Sequence, residues 1–121
     1  MNTILVVDDQ VQCIRIYQDF LTDEGFKVIG ADSLQEAVTI LAYNNDVDII
    51  ILDYSISDVD SGVFLQTLKD TCSHTKILMN SCHPVEYQRK MIQEVDGYHD
   101  KCAGLDDLLS NIKKVLSVEN I

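Results

Sequence analysis

The stretch that most limits the fold is the segment Asp48–Asp53, with the sequence DIIILD. Four consecutive aliphatic residues cannot form a strand with one face in water, because successive side chains of a strand point to opposite faces. Such a strand is typical of the middle of a parallel sheet, which is covered on both faces. The segment therefore predicts a central strand with helices packed above and below it.

The rest of the chain alternates short apolar runs with helical patterns. Further strands are predicted at 4–7, 26–29, 76–80 and 95–99, the last weakened by its glycine and by the polar residues at its end. Apolar residues at helical spacing separate the strands, and the most regular of these runs reaches from Leu105 to Leu116. A βα unit repeated five times predicts an α/β fold, a five-stranded parallel sheet with helices on both faces.

Two helix starts carry recognisable end signals. Ser33 is a good N-cap, and Glu36 follows three residues later, which is the pattern of a capping box. Pro84 suits the first turn of a helix that carries Tyr87, Met91 and Ile92.

Length and charge limit the possible functions. The 121 residues suffice for one domain. Asp and Glu number 20 against 9 Lys and Arg, and a net charge of −11 repels phosphate backbones, so direct nucleic-acid binding is not expected. No apolar run approaches the ~20 residues of a membrane span, and Met1-Asn2-Thr3 lacks a secretory signature. We therefore expect a cytoplasmic protein without membrane association.

The cysteines and histidines show no ligand pattern. None of the four cysteines falls in a C-x-x-C pair, so zinc is not expected and reduced thiols are. Cys82 and Cys102 are expected to lie close together across one edge of the sheet. His74, His83 and His99 are expected at the surface or at the rim of a site.

Acidic residues stand where strands end. Asp8 and Asp9 follow the first strand, and Asp53 follows the third. If these strands are neighbours, three carboxylates converge, although two unit charges ~4 Å apart repel by about 4 kcal/mol near a protein surface. A divalent cation removes this repulsion, and oxygen ligands at a partly open site favour Mg²⁺.

The next two strands add a hydroxyl and a cation. Ser81 follows the fourth strand, and Lys101 stands near the end of the fifth. Three acids, one hydroxyl and one lysine are typical of phosphoryl transfer, in which a carboxylate can act as the nucleophile and a lysine can neutralise charge.

From Asn2 to about Val118, the chain resembles the receiver domain of two-component response regulators, of the single-domain type. The resemblance rests on five features that occur in order: Asp8-Asp9, Asp53 after DIIIL, Ser81 in ILMNSCH, Tyr98 in DGYHDK, and Lys101. It implies the flavodoxin-like (βα)5 fold with strand order 2-1-3-4-5.

The resemblance also implies a set of roles. Asp53 is the expected phosphoacceptor, and the donor is a sensor histidine kinase or a histidine phosphotransfer protein. Mg²⁺ is held by Asp8, Asp9, Asp53 and the backbone carbonyl of Ser55.

The resemblance also implies how the phosphoryl group is bound and detected. Ser81 and Lys101 are expected to contact the phosphoryl oxygens. Ser81 and Tyr98 are expected to shift and so change the surface formed by the fourth helix, the fifth strand and the fifth helix. That surface is then expected to meet a downstream protein target, so that the chain acts as a signalling domain rather than an enzyme, as a monomer or weak dimer.

The sequence departs from the family at two places. Ile56-Ser57 replaces Met-Pro after the acceptor, and Ser61 stands where a glycine is usual, with Gly62 one place later. Lys101-Cys102 replaces Lys-Pro and its cis bond. Because a cis bond before a residue other than proline costs ~3–4 kcal/mol, we predict a trans bond and a different path into the last helix.

Three other functions remain to be weighed. A Mg²⁺ phosphatase with an aspartyl nucleophile needs a second acid two residues later, which Asp53-Tyr54-Ser55 and Asp8-Asp9-Gln10 both lack. A flavodoxin-like cofactor binder needs a Ser, Thr or Gly loop after the first strand, where this chain has two aspartates. A degenerate receiver that serves as an unphosphorylated docking module is suggested by Ser57, Ser61 and Cys102.

Overall fold

The computed structural model describes residues 2–44, 46–53, 61–71, 74–92 and 95–117. The strands are β1 Thr3–Val7, β2 Lys27–Ala31, β3 Ile49–Asp53, β4 Lys76–Ser81 and β5 Gly97–Asp100. The helices are α1 Val11–Asp23, α2 Leu34–Tyr43, α3 Ser61–Thr71, α4 Val85–Met91 and α5 Leu105–Ser117, with a 3₁₀ turn at Lys101–Ala103 before α5. None of these helices combines the length and apolar character that crossing a membrane requires.

The five strands form one parallel sheet in the order β2-β1-β3-β4-β5. This confirms the predicted fold class and strand order. Since β3 lies at the centre, β1 and β4 flank it, and Asp53 pairs in register with Asn80 of β4. The chain order therefore brings the ends of β1, β3 and β4 next to each other at one edge.

Each face of the sheet has its own apolar core, as the sequence of β3 predicts. Ile49 and Ile51 pack in one cluster with residues of α1 and α5. Ile50 and Leu52 pack in the other cluster with residues of α2 and α3. All four side chains are at most 1% exposed, so the central strand is buried on both faces.

The capping box of α2 forms, but one of its two hydrogen bonds is displaced by one residue. Ser33 Oγ accepts a hydrogen bond from the backbone N–H of Glu36 at 3.1 Å, as predicted. The Glu36 carboxylate accepts from the backbone N–H of Asp32 at 3.2 Å, one residue before the N-cap.

The boundaries of β2 and β5 are displaced from the predicted 26–29 and 95–99. Phe26 still belongs to the turn after α1, because its backbone N–H donates to the carbonyl oxygen of Leu21. Strand β2 then continues through Gly30, where a Cβ atom would lie 2.4 Å from the Ile14 Cγ2 atom of α1. The glycine therefore permits the close approach of α1 to the sheet.

Helix α4 turns a polar residue inward. Tyr87 and Met91 are 45% and 51% exposed, whereas Gln88 is 2% exposed. Ile92, just after the helix, packs against the α2–α3 core. The inward side of this seven-residue helix is thus formed by Gln88, and Ile92 follows four residues later, just beyond the helix end.

The expectation that His99 lies at the surface or the rim of a site is wrong. His99 is 1% exposed, because its side chain points from β5 under α5. Its Nδ1 atom lies 3.1 Å from Asn111 Nδ2 and 3.3 Å from Asp107 Oδ2. Burial lowers the pKa of His99 below its ordinary value, against the opposing charge of Asp107. His74 and His83 are exposed, as expected.

Candidate functional site

Three carboxylates meet at the carboxyl edge of the sheet. Asp8 and Asp9 follow β1, and Asp53 is the last residue of the neighbouring β3. One oxygen from each carboxylate lies within 4.8 Å of the others. Asp8 and Asp53 are 1% and 2% exposed, whereas Asp9 is exposed. The structure thus brings together the acids that the sequence places 45 residues apart.

Lys101 is the cation that faces these acids. Its Nζ atom donates to Asp8 Oδ2 at 2.8 Å and to Asp53 Oδ2 at 3.3 Å, and the side chain is 13% exposed. The lysine opens the 3₁₀ turn, whose first residues are fixed by a hydrogen bond from the Cys102 N–H to Asp100 Oδ1 at 2.9 Å. The described residues contain no cis peptide bond, so the predicted trans Lys101–Cys102 bond is confirmed.

The protonation of the site follows from burial and proximity. Burial raises the pKa of Asp8, and the hydrogen bond from Lys101 offsets only part of this effect. Burial by itself lowers the pKa of the Lys101 ammonium, but the hydrogen bond to Asp8 and the charges of Asp53 and Asp8 outweigh burial and raise it. Lys101 is therefore charged at neutral pH, and the cluster of three acids and one lysine favours a further cation.

The donor set fits Mg²⁺. All three ligand groups are carboxylates, and hard oxygen ligands suit Mg²⁺ and Ca²⁺ rather than zinc. The exposed Asp9 leaves one side of the cluster accessible to an ion. The predicted fourth ligand, the backbone carbonyl of Ser55, lies outside the described residues, as do Ile56 and Ser57.

Ser81 lies at the same edge of the sheet as the three carboxylates. It is the last residue of β4, one position beyond the Asn80 that pairs with Asp53. The side chain is 2% exposed, and its Oγ accepts a hydrogen bond from the backbone N–H of His83 at 3.2 Å.

Tyr98 lies away from the carboxylates. It pairs with Met79 in the middle of the β4–β5 ladder and packs against the α2–α3 core. Its hydroxyl donates to the carbonyl oxygen of Ile92 at the end of α4. The guanidinium carbon of Arg89 lies 5.3 Å from the centre of its ring. Tyr98 therefore joins β5 to α4 and does not contact the acid cluster.

Two buried polar side chains near the site have no counterpart in the sequence interpretation. Asn80 is 1% exposed and its Nδ2 donates to the hydroxyl of Tyr17 on α1 at 3.0 Å. Gln88 donates from its Nε2 to the carbonyl oxygens of His83 and His99, at 2.8 Å each. Asparagine in a strand and glutamine in a helix are both common on surfaces, so composition gives no signal. The i, i+4 pair with Ile92 is the only sequence hint for Gln88.

The two cysteines lie close together at the edge of the site, as expected. Cys82 and Cys102 are exposed, and their side chains are near enough to interact. The charge of Asp100, with smaller contributions that include Cys82, raises the pKa of the Cys102 thiol. A raised pKa keeps this thiol protonated at neutral pH, in contrast to reactive cysteines.

Fold and site together define a class, the doubly wound α/β proteins in which three acids and a lysine cluster at the carboxyl ends of the strands. The chain belongs to the response regulator receiver domain family, whose model matches residues 4–113. It is thus a receiver domain of the two-component type. The match confirms the resemblance drawn from the sequence.

Individual relatives agree with the family. The response regulator SaeR of Staphylococcus aureus (strain USA300) is 29% identical over 125 residues, which cover 100% of this chain and 50% of SaeR. The chain therefore spans about half the length of the curated relatives it matches.

Solved structures match the fold over most of the chain. The response regulator TrrA of Thermotoga maritima in complex with Mg²⁺-BeF is 24% identical, with a TM-score of 0.83 and coverage of 96% of this chain and 100% of TrrA. The complex of histidine kinase ThkA with TrrA also matches, at 24% identity, with a TM-score of 0.84 and coverage of 97% of this chain and 100% of the matched chain.

Proposed function

We propose that this chain is a phosphorylatable receiver that accepts a phosphoryl group on Asp53. The donor is a phosphohistidine of a sensor histidine kinase or a histidine phosphotransfer protein. The observation that carries the proposal is the Lys101 ammonium held between Asp8 and Asp53 in a three-carboxylate cluster. A solved relative binds Mg²⁺ with BeF, and another solved complex pairs that relative with a histidine kinase.

Asp53 is the nucleophile of the proposed transfer. One of its carboxylate oxygens forms a bond to phosphorus while the P–N bond to the donor imidazole breaks, and the electron pair of that bond stays on the imidazole nitrogen. Lys101, already 3.3 Å from Asp53, is placed to pair with a phosphoryl oxygen. Its raised pKa keeps it charged during the transfer.

Asp8, Asp9 and Asp53 would hold Mg²⁺, with the carbonyl of Ser55 as a further ligand. When bound, the ion offsets the negative charge of the carboxylates and of the phosphoryl oxygens. Asp8 contributes most when its buried carboxylate is ionised, a state that the nearby Lys101 favours.

Ser81 and Tyr98 would convert phosphorylation into a change of surface. Ser81 Oγ currently accepts the His83 N–H, and a bond to the acyl phosphate would draw this hydroxyl away. Tyr98 joins β5 to α4 through Ile92, so a shift of the loop before α4 can change this contact. The α4-β5-α5 surface would then meet the downstream protein target, by a population shift between two arrangements.

A second candidate is a docking module that is never phosphorylated. The departures from the family at Ser57, Ser61 and Cys102 favour this candidate, because they fall in the segments that follow the acceptor and Lys101. The retained carboxylates, Ser81 and Lys101 favour the phosphorylated receiver.

Acetyl phosphate or phosphoramidate with Mg²⁺, followed by intact mass, separates the two. We expect the mass of one phosphoryl group on the wild type and none on Asp53→Asn. The matched control is Asp19→Asn, an exposed aspartate on α1, which should be labelled like the wild type. No adduct, or an adduct that persists in Asp53→Asn, would favour the docking module.

A further inference from the structure

Gln88 is a buried polar side chain outside the acid cluster, and it links two separate segments. It is 2% exposed on the inner face of α4. Its Nε2 donates to the carbonyl oxygen of His83 in the β4–α4 loop and to that of His99 in β5, both at 2.8 Å. One amide group thus connects α4, the loop and the edge strand.

The orientation of this amide is fixed by its partners. Both neighbours are carbonyl oxygens, which only accept, so the nitrogen must face them. The oxygen, Oε1, is then buried without a partner among the described residues. Buried acceptors are usually satisfied, and one that is not calls for an explanation. The unpartnered oxygen thus follows from the orientation that places both N–H groups on the two carbonyls.

The two bonds lie on a continuous path from the phosphorylation site to the output face. Ser81 Oγ accepts from the His83 N–H at 3.2 Å, and the His83 carbonyl accepts from Gln88. Gln88 also holds His99, which directly follows Tyr98 in β5. When Ser81 turns toward an acyl phosphate, the bond from the His83 N–H to Ser81 Oγ breaks, while the bond from Gln88 to the His83 carbonyl remains.

We propose that Gln88 is a positioning residue that couples the loop after Ser81 to β5, so that movement of the loop displaces His99 and Tyr98. This inference rests on the proposed phosphoryl switch. Removal of the Gln88 amide removes both of its hydrogen bonds, to His83 in the loop and to His99 in β5. Ser81 would still respond to the phosphoryl group, but β5 would respond less.

The test compares backbone amide chemical shifts of the full chain before and after addition of Mg²⁺ and beryllofluoride, an acyl-phosphate mimic. In the wild type, the amides of His83 and of Gly97–Asp100 should shift. In Gln88→Met, which keeps the side-chain volume and removes both donors, His83 should still shift. The response of Gly97–Asp100 should fall about 2- to 30-fold, the range of mutations that alter coupling.

Two further variants separate coupling from packing. Gln88→Glu places a carboxylate against two carbonyls and should abolish the β5 response. Gln66→Met is the matched control, because Gln66 is an exposed glutamine on α3 whose side chain donates to Asp70 of the same helix. It should respond like the wild type.

The outcomes are distinguishable. An equal β5 response in the wild type and in Gln88→Met overturns the inference and leaves the proposed function intact. No response of any wild-type amide overturns the proposed function, and the coupling with it. If Gln88→Met does not fold, the wild-type side-chain amide of Gln88 decides: its resonance must shift together with β5, and a β5 response without it refutes the coupling.

Discussion

Lys101→Met tests the electrostatics on which the site depends. The ammonium lies 2.8 Å from Asp8 Oδ2 and 3.3 Å from Asp53 Oδ2. At an effective dielectric constant of about 20, these distances correspond to attractions of about 6 and about 5 kcal/mol. The carboxylates, whose oxygens lie within 4.8 Å, repel each other by about 3.5 kcal/mol or more on the same scale.

Most of this attraction is offset by the desolvation of the three groups. Removal of one partner from a buried pair typically costs about 3–5 kcal/mol, because it leaves an uncompensated charge. We therefore expect the free energy of unfolding at pH 7, with a chelator present, to fall by about 3–5 kcal/mol in Lys101→Met. Without the ammonium, the Asp8 carboxylate is protonated more readily, so the loss of unfolding free energy should shrink as the pH is lowered toward 5.

Mg²⁺ should reverse much of the loss. In the variant, the ion no longer shares the carboxylates with an ammonium, so it should bind more tightly. A tenfold lower Kd adds about 1.4 kcal/mol of stabilisation at saturation.

Urea unfolding with chelator measures the loss of stability in Lys101→Met, and urea unfolding with saturating Mg²⁺ measures how much of it the ion restores. Lys113→Met, an exposed lysine on α5, is the control and should change stability by less than about 0.5 kcal/mol. The reasoning fails if Lys101→Met matches this control in chelator, or if Mg²⁺ stabilises the variant no more than the wild type.

Three other predictions concern the scaffold. Burial holds the pKa of His99 below 6.5, so the unfolded chain binds the imidazole proton more tightly than the folded chain does. The free energy of unfolding should therefore fall as the pH drops below ~6.5, by up to about 1.4 kcal/mol per pH unit. His99→Gln should flatten the pH profile of urea unfolding in that window. Gly30→Ala should lower stability by about 1–3 kcal/mol in thermal unfolding, because its Cβ would overlap Ile14; an unchanged midpoint would refute the close approach. Tyr17→Phe removes the acceptor of Asn80 Nδ2 and should cost about 1–3 kcal/mol, whereas a neutral effect in the same assay would mean that the pair contributes nothing.

Much of the fold follows from local patterns. The run DIIILD requires burial on both faces, and a chain that alternates such strands with amphipathic helices has few alternatives to a parallel sheet. Element boundaries were less predictable, because β2 and β5 begin where turns and helix contacts allow. Phe26 is held in the turn by Leu21, a contact that no periodicity reports.

Some residues in and around the site can likewise be predicted from the sequence, and others cannot. Asp8, Asp9 and Asp53 can be found from sequence because a polar residue directly after a buried strand lies at the carboxyl edge of the sheet. The prediction that His99 is exposed is wrong, because a single polar residue in a weak strand is typical of a sheet edge. Only the structure shows that α5 covers this side chain.

The sequence by itself determined the layered α/β fold, the acids at the strand ends and the trans peptide after Lys101, because these depend on local periodicity, strand polarity and the cost of a cis bond. Only the tertiary structure decided that Lys101 sits between Asp8 and Asp53, that His99 is buried, and that Gln88 ties the loop to β5. Each of these contacts joins segments that are far apart in the chain or belong to different elements. Their geometry is set by packing across the sheet, which no local pattern encodes.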